Sequence, residues 1–372
     1  MIIGIDASRA NKLNKTGTEW YSWHLIEALK IIANPDDKFL LYTNSILTGG
    51  LEKLPDNFVE KKLSWPPKYL WTQLRLWWEL WCHPPEILLV PAHTIPFLPL
   101  PKKIKVIVNV HDVGFKRFSQ LYKKIQVWYH DLTMRRIKQR ADLIITISEF
   151  SKQEIIDLYQ IQPNKIKVVY LGFDATQFSP AINDNSDLLK KYHINKPYLL
   201  YVGRLEKKKN IGNLLMAFAL AKEIKPELKL VLVGSAGNQF EEIKKIINNY
   251  HLEQEVIITG YVAANDLPII YNQAEIFLFP TLYEGFGLPI LEAMASGVPV
   301  ITSNFAPHNE VGGEAAYYIN PHSPQQLSNA IINILEDKNL KESLINRGLV
   351  RVKNFSWQQT AQAIYQLIKK VD

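Results

Sequence analysis

Short runs of Ile, Val, Leu and Tyr recur along the chain, separated by stretches in which apolar residues return at helical spacing. Runs at 2–6, 39–43, 87–90, 105–110, 143–147 and 167–170 predict one series of strands, and runs at 198–202, 229–233, 255–258, 276–279 and 298–302 predict a second. Strands alternating with helices in this way make parallel sheets covered by helices. The pattern therefore predicts an α/β protein of two doubly wound, Rossmann-like domains. The segment 172–195 is polar, turn-rich and holds Pro180, so the joint falls near 175, with one domain over 1–175 and another over 176–355. Residues 356–372 follow as a capped terminal helix, with Trp357, Ala361, Ile364, Tyr365 and Ile368 at helical spacing. No fixed-period repeat is present, which argues against a solenoid.

The chain has 372 residues, of which 47% are hydrophobic, enough for sizeable cores in two or three domains. Cys82 stands alone, so no internal disulfide can form; a reducing compartment and a small buried side chain are the expectation. The chain opens directly on a strand without the succession of a secretory signal, and the uncharged run 87–100 is short and broken by Pro91, Pro96 and Pro99. A soluble or peripheral cytoplasmic protein is expected.

Net charge is +7, and residues 1–185 hold 24 Lys and Arg against 18 acids, whereas 186–372 hold 19 against 18. Within the first half, 101–140 carries eleven bases and only Asp112 and Asp131 as acids, a patch that attracts phosphate-rich partners. Two stretches add aromatics to this charge. Residues 68–83 start at Lys68 and hold Tyr69, Trp71, Trp77, Trp78 and Trp81 with Arg75; residues 116–140 hold eight bases with Phe118, Tyr122, Trp128 and Tyr129. Core tryptophans beside a solvated basic face would read the same way as a surface for an anionic membrane.

The most informative segment is 283–297, Tyr-Glu-Gly-Phe-Gly-Leu-Pro-Ile-Leu-Glu-Ala-Met-Ala-Ser-Gly. Gly285 and Gly287 permit close backbone approach, Pro289 falls where a missing N–H costs least, and Gly297 with Pro299 stops the helix. Such a helix start, with Phe286, Gly287 and Leu288 leading into it, favours an anionic group, phosphate above all. Glu292 is a lone charge among small and apolar residues. Residues 246–337 contain ten acids and no Lys or Arg, so Glu284 and Glu292 need either a cation distant in sequence or the hydroxyls of a ligand.

A second basic loop supports phosphate chemistry. Gly203 ends a predicted strand and Arg204-Leu-Glu-Lys-Lys-Lys209-Asn210 follows. Arg204 can grip phosphate oxygens with parallel N–H bonds and Lys209 supplies a compact charge, whereas Lys207 and Lys208 read as a solvated turn. His111 and Asp112 end another strand, and Gly17 starts the first helix with Thr16 or Thr18 as its cap. The chain has no Asp-x-Asp and no His/Cys cluster at zinc spacing, so charge on a leaving group would be met by protein donors without metal. Ser235-Ala236-Gly237 lacks the Gly-Lys-Ser/Thr of a P-loop.

Glu284 and Glu292, with Gly-Phe-Gly-Leu-Pro between them, resemble the paired-glutamate motif of retaining glycosyltransferases of family 4. Gly17, His111-Asp112, Ser148-Glu149-Phe150-Ser151, Val202-Gly203-Arg204 and Lys209-Asn210 match in the same order. The resemblance implies a GT-B fold, two domains facing a cleft, a nucleotide-sugar co-substrate and no metal or other cofactor. It implies that Glu284 and His111 contact the donor sugar, Arg204 and Lys209 its diphosphate, Glu292 the ribose, and that Gly17, Gly203, Gly285, Phe286, Gly287 and Leu288 line the donor site. It also implies that the terminal helix returns to the first domain. The stretch 111–118 is similar to mannosyltransferase-like members that build bacterial surface polysaccharide, which points to GDP-mannose as donor, with a saccharide or lipid-linked saccharide as acceptor. The clustering of tryptophans and bases suggests docking to anionic lipid on the inner face of the plasma membrane, beside a polyprenyl-diphosphate-linked acceptor. A nucleotide-sugar epimerase of the same architecture is the alternative enzyme. A nucleic-acid-binding protein is suggested only by the basic charge and leaves the glutamate motif unexplained, so no nucleic-acid partner is expected.

Overall fold

Two wholly parallel sheets carry the strands of the computed structural model, which describes residues 1–13, 15–66, 69–180, 186–238 and 240–371. The first contains β1 (Ile2–Asp6), β2 (Lys38–Thr43), β3 (Phe58–Lys62), β4 (Ile87–Val90), β5 (Lys105–Asn109), β6 (Leu143–Thr146) and β7 (Ile166–Val168), in the order β3-β2-β1-β4-β5-β6-β7. The second contains β8 (Tyr198–Val202), β9 (Lys229–Val233), β10 (Val256–Gly260), β11 (Ile276–Phe279), β12 (Val300–Ser303) and β13 (Ala316–Ile319), in the order β10-β9-β8-β11-β12-β13. Central strands read as apolar runs because helices cover both faces. Ile3, Ile5, Leu88, Leu89, Ile107 and Val108 are fully buried, each contributing about 1.5–3 kcal/mol.

Both strand orders reverse once, between β1 and β4 and between β8 and β11. Loops leaving the carboxyl ends of two such strands run to opposite faces of the sheet and leave a crevice where doubly wound proteins bind ligands.

The expected strands are present with ends moved by a residue or two, as their ladders dictate. The run 255–258 becomes Val256–Gly260, because Val256 pairs with Leu230 and Gly260 with Val233. Two strands escape the pattern. The β3 residues Glu60, Lys61 and Lys62 and the β13 residues Tyr317 and Tyr318 lie at sheet edges, where one side needs no apolar cover.

The chain divides into two units, residues 1–172 with 356–372, and residues 173–355. Part of the turn-rich segment around the expected joint, residues 181–185, lies outside the described residues, as does Lys68 of the aromatic-basic stretch. The terminal helix, Trp357–Val371, belongs to the first unit and packs on helix Gly17–Ile32. The Ser356 hydroxyl caps it by accepting from the Gln359 N–H, 3.2 Å away. His24 and Trp357 stack with centroids 4.7 Å apart, the Thr360 hydroxyl donates to the Tyr170 carbonyl at 2.8 Å, and the Tyr365 hydroxyl donates to Asp37. Gly172 allows this approach, since a Cβ there would lie 2.2 Å from the Trp357 nitrogen.

The aromatic stretches divide between core and surface. Trp71 is buried, whereas Trp78, Trp81 and Trp128 are exposed. Cys82, expected inside, is exposed at the end of helix Trp77–Cys82. Part of the basic patch is engaged internally. Lys116 and Arg135 pair with Asp131 at 2.7 and 2.9 Å, Arg117 grips Glu154 with two guanidinium nitrogens, and Arg140 meets Asp142 at 3.0 Å. Arg136 donates to the Pro96 and Leu98 carbonyls. No helix among the described residues is long and apolar enough to cross a membrane.

Candidate active-site residues

The second unit gathers four loops around the β8/β11 reversal. Gly203 leaves β8 at φ 151°, and Gly234 leaves β9 at φ 142°, conformations that side chains strain to adopt. These glycines face each other, for a Cβ on Gly234 would lie 2.0 Å from the Gly203 carbonyl oxygen. The Leu205 N–H donates to the Ser235 carbonyl and the Gly237 N–H to the Leu205 carbonyl. Residues 234–237 are thus the backing of the Arg204 loop, which explains glycines that sequence alone left without a role.

Arg204 points outward with a largely exposed side chain, 3.9 Å from Glu206. Lys208, expected to be solvated, lies 3.4 Å from buried Glu206. The turn Lys207–Lys209 ends at Asn210 in the left-handed region, φ 61°, where its buried amide donates to the Pro280 and Pro321 carbonyls at 2.9 and 2.7 Å. The Leu282 N–H donates back to the Lys208 carbonyl. These bonds fix the lysine loop against the chain leaving β11, and Lys209 forms an ion pair with Glu284. The distant cation that Glu284 needed is therefore Lys209, 75 residues away in sequence.

Beneath the pair lies His308, which the sequence did not mark. It is fully buried, 2.7 Å from the Thr302 hydroxyl through Nδ1 and 3.3 Å from the Thr281 hydroxyl through Nε2. Thr302 spends its proton on the Phe279 carbonyl, so Nδ1 carries the hydrogen and Nε2 accepts from Thr281. Burial, aided by the nearby Lys209 charge, pushes the ring down to about 3, so it stays neutral. A Cβ on Gly287, at the start of helix Leu288–Ala295, would lie 3.5 Å from this ring.

That helix begins at Gly287, φ 113°, and ends before Gly297, φ 72°. Its first turn offers fewer donors than the sequence suggested. Pro289 has no N–H, and the Ile290 N–H turns back onto the Gly287 carbonyl at 3.0 Å. Glu292 follows Leu288 by four residues and shares its face. Its carboxylate accepts from the Tyr271 hydroxyl at 2.9 Å and has no cation partner among the described residues. Desolvation pushes it up to about 7 despite that hydrogen bond. Since the unfolded chain loses this proton first, the stabilising contribution is complete below about pH 4.5 and is lost as pH rises through about 7.

The first unit holds the other expected residues at its own reversal. Helix Gly17–Ile32 starts at Thr16 with a capping box whose acid is Glu19, a buried carboxylate absent from the sequence reading. Glu19 also meets Arg9 at 3.1 Å and Lys12 at 3.2 Å. Burial opposes its charge, but the Thr16 and Lys12 hydrogen bonds prevail and hold it down to about 2. A Cβ on Gly17 would meet nothing within 4 Å, so no packing demand keeps it glycine.

His111 lies edge-on to Tyr21, centroids 4.5 Å apart, and its Nε2 lies 3.1 Å from the Pro91 carbonyl. That carbonyl can only accept, so Nε2 carries the proton and Nδ1 of the neutral ring is an acceptor for a hydroxyl. Burial lowers its proton affinity. Asp112 accepts from the Gly114 N–H at 2.8 Å and shapes the next turn. His93 and His130 join this neighbourhood unannounced, their rings 5.3 Å apart; burial, then their mutual repulsion, pushes His93 down to about 3. No group of three or more metal-ligating side chains occurs among the described residues.

Two parallel α/β units, one with a charged pair at its strand-order reversal, place ligand-binding crevices beyond the strand ends, and comparison with known proteins assigns the class. A family profile described as "Glycosyltransferase Family 4" matches residues 31–177, and "Glycosyl transferases group 1" matches 185–351. The chain is 33% identical over 275 residues to O-antigen chain mannosyltransferase B of Escherichia coli, covering 72% of each. It is 27% identical over 341 residues to O-antigen chain mannosyltransferase RfbU of Salmonella typhimurium, covering 87% of this chain and 89% of the relative. The Anabaena HepE structure in complex with UDP and glucose superposes with a TM-score of 0.73 at 19% identity over 99% of each chain. The chain belongs to glycosyltransferase family 4, with the GT-B fold. It is a glycosyltransferase, which decides against the epimerase alternative.

Proposed function

We propose that this glycosyltransferase moves a hexose, mannose from GDP-mannose, to a saccharide or lipid-linked saccharide acceptor with retention of configuration and without metal. The observation that carries this reading is the Lys209–Glu284 pair set between β8 and β11 beside the helix start at Leu288. Mannose is favoured by the names of the O-antigen relatives.

In this mechanism the acceptor hydroxyl oxygen bonds to the anomeric carbon as the bond from that carbon to the diphosphate breaks. The electron pair leaves on the diphosphate, and a phosphate oxygen takes the hydroxyl proton. Exposed Arg204 and the Lys209 ammonium meet the growing charge, worth about 3–4 kcal/mol per fixed donor. The Glu284 carboxylate, already engaged by Lys209, accepts from a sugar hydroxyl and keeps the cation in place. His111 accepts from another sugar hydroxyl, and Glu292 takes the ribose hydroxyls.

A ligand hydroxyl donating to Glu292 favours its charged form, so nucleotide binding releases a proton and tightens as pH rises toward about 7, levelling off above it. Calorimetry in buffers of different ionisation enthalpy reads that proton, and Glu292→Gln abolishes it; a wild-type enthalpy independent of buffer refutes the ribose role. A thermal-shift panel of UDP, GDP, ADP and dTDP sugars should single out GDP-mannose, with turnover unchanged by a chelator. Activity silenced by chelation and revived by magnesium or manganese refutes the metal-free mechanism.

The proposal includes docking of the first unit on an anionic bilayer, supported by its exposed tryptophans and lysines. Exposed Trp78 and Trp81 lie on one helix, and exposed Ile125 and Trp128 with Lys123 and Lys124 lie at the start of another. Both helices fasten to the same loop, Trp81 through the Pro99 carbonyl and Arg136 through the Leu98 carbonyl. Tryptophan beside lysine suits the interfacial zone of a membrane. Co-sedimentation with liposomes should rise with anionic lipid content and fall in Trp78→Ala/Trp128→Ala; indifference to lipid charge refutes it.

A further inference from the structure

The chain at the end of β11 carries Phe279 and, three residues beyond Thr281, Glu284. The Lys209 ammonium stands over the Phe279 ring, 5.9 Å from its centroid, and the Leu282 N–H donates to the Lys208 carbonyl. Whatever holds residues 279–284 therefore sets how the Lys209–Glu284 pair meets. The ladder to β12 ends at Phe279, so the residues beyond it need other anchors.

Four fully buried polar side chains supply them: Thr281, Thr302, Ser303 and His308. The Ser303 hydroxyl donates to the Thr281 carbonyl at 2.7 Å, and the Thr302 hydroxyl to the Phe279 carbonyl at 2.9 Å. The Thr281 hydroxyl gives its own proton to His308 Nε2, 3.3 Å away, and Nδ1 donates to the Thr302 oxygen at 2.7 Å. One imidazole thus ties the segment that leads to Glu284 to the end of β12.

The chemistry of the ring suits this task. Neutral imidazole offers one donor and one acceptor on separate atoms of a rigid frame, which a hydrocarbon cannot do and an amide does only in part of the same space. Protonation would turn Nε2 into a second donor facing Thr281 and set a second cation near Lys209, and burial keeps the ring neutral. The ring also lies 5.3 Å, centroid to centroid, from Phe279. It therefore borders the aromatic floor under Lys209, the stem of Glu284 and the turn at Gly287.

We propose that His308 is a positioning residue for glycosyl transfer, which acts through Thr281 and Phe279 to set the geometry in which Lys209 and Glu284 meet a departing diphosphate. The inference rests on the donor-site reading of that pair and adds a residue outside it. Misplacing such a pair by about 1 Å lowers the rate up to about a hundredfold. Arg204 and Glu292 hold the donor from other anchors, so the signature is a loss of kcat at nearly constant donor KM.

The test follows GDP release from GDP-mannose, with water as acceptor, in the full-length protein. Two amides divide the two hydrogen bonds: His308→Gln extends an oxygen to the place of Nε2 and keeps the Thr281 bond, whereas His308→Asn reaches only the Thr302 side. His308→Leu fills the volume and makes neither bond. The kcat should fall less than about threefold in His308→Gln, and about tenfold or more in His308→Asn, His308→Leu and Thr281→Val. Donor KM should stay within about threefold in all four. Thermal melts on the same samples provide the structural readout, since a packing role alone ranks the variants by melting temperature and not by which bond survives.

Wild-type kcat in both His308→Leu and Thr281→Val overturns the proposal, as does a kcat that merely tracks melting temperature, or a donor KM that rises while kcat holds. Should the His308 variants fail to fold, Thr281→Val decides alone: lowered kcat supports the proposal and wild-type kcat overturns it. Lys209→Ala, measured alongside, separates this inference from the donor-site reading. If Lys209→Ala is crippled while the four variants are not, only the role of His308 falls; wild-type turnover in Lys209→Ala removes the reading and this inference with it.

Discussion

Lys209→Ala should lower kcat/KM by about 10²- to 10³-fold, since one fixed donor to a departing diphosphate is worth about 3–4 kcal/mol. Glu284→Ala should fall by a comparable factor for a different reason: without the carboxylate, Lys209 loses the partner that aims it. The pair also has a structural share. Both side chains are mostly buried, at 12% and 18% exposure, so removing one strands the other. The stability loss should remain below the ~3–5 kcal/mol of a fully enclosed pair. The double variant Lys209→Met/Glu284→Gln separates the two effects, because it restores charge balance and stability without restoring turnover. Steady-state kinetics on samples shown folded by thermal melting provide the measurement. Wild-type turnover in either single variant would make the pair structural and take the phosphate assignment with it.

Gly234→Ala should be the most damaging single-methyl change near the donor site, destabilising by about 3 kcal/mol or more. Its Cβ would meet the Gly203 carbonyl oxygen at 2.0 Å, backbone against backbone, at a φ that alanine resists. Relief requires Gly203 to move, and Arg204 moves with it, so donor affinity should drop in whatever fraction still folds. Gly17→Ala provides the contrast. Its Cβ meets nothing within 4 Å and its backbone is helical, so stability should change by less than about 0.5 kcal/mol while the donor KM rises if the diphosphate approaches there. Urea unfolding of the two variants decides both; equal stability for Gly234→Ala and wild type contradicts the contact.

Strands buried on both faces, such as β1, β5 and β8, declare themselves because their central positions must be apolar, and their loops therefore announced Gly17, His111 and Gly203. The β3 and β13 strands did not, because an edge strand pays no penalty for polar or half-exposed residues such as Lys61, Lys62 or Tyr317. The glutamate segment was legible because a lone charge in a small apolar helix has few structural excuses. Glu19 and His308 were not, since an acid at a capping position and a histidine after a proline occur routinely, and only their neighbours give them weight. Pairing within the basic patch was hidden for the same reason: Asp131, Glu154 and Asp142 engage Lys116, Arg135, Arg117 and Arg140, which a linear count leaves free.

By itself the sequence determined the two-unit α/β architecture, the terminal helix, and the residue types able to handle a nucleotide sugar. These follow from local periodicity and from the chemistry of side chains, which need no knowledge of distant neighbours. The tertiary structure alone decided the strand orders, and with them where each crevice lies. It also decided that Lys209 pairs with Glu284 while Glu292 has Tyr271, and that Arg9 and Lys12 share Glu19. The physical reason is that pairing partners are chosen by proximity across sheets and loops, and parallel strands place residues side by side that the chain separates by scores of positions.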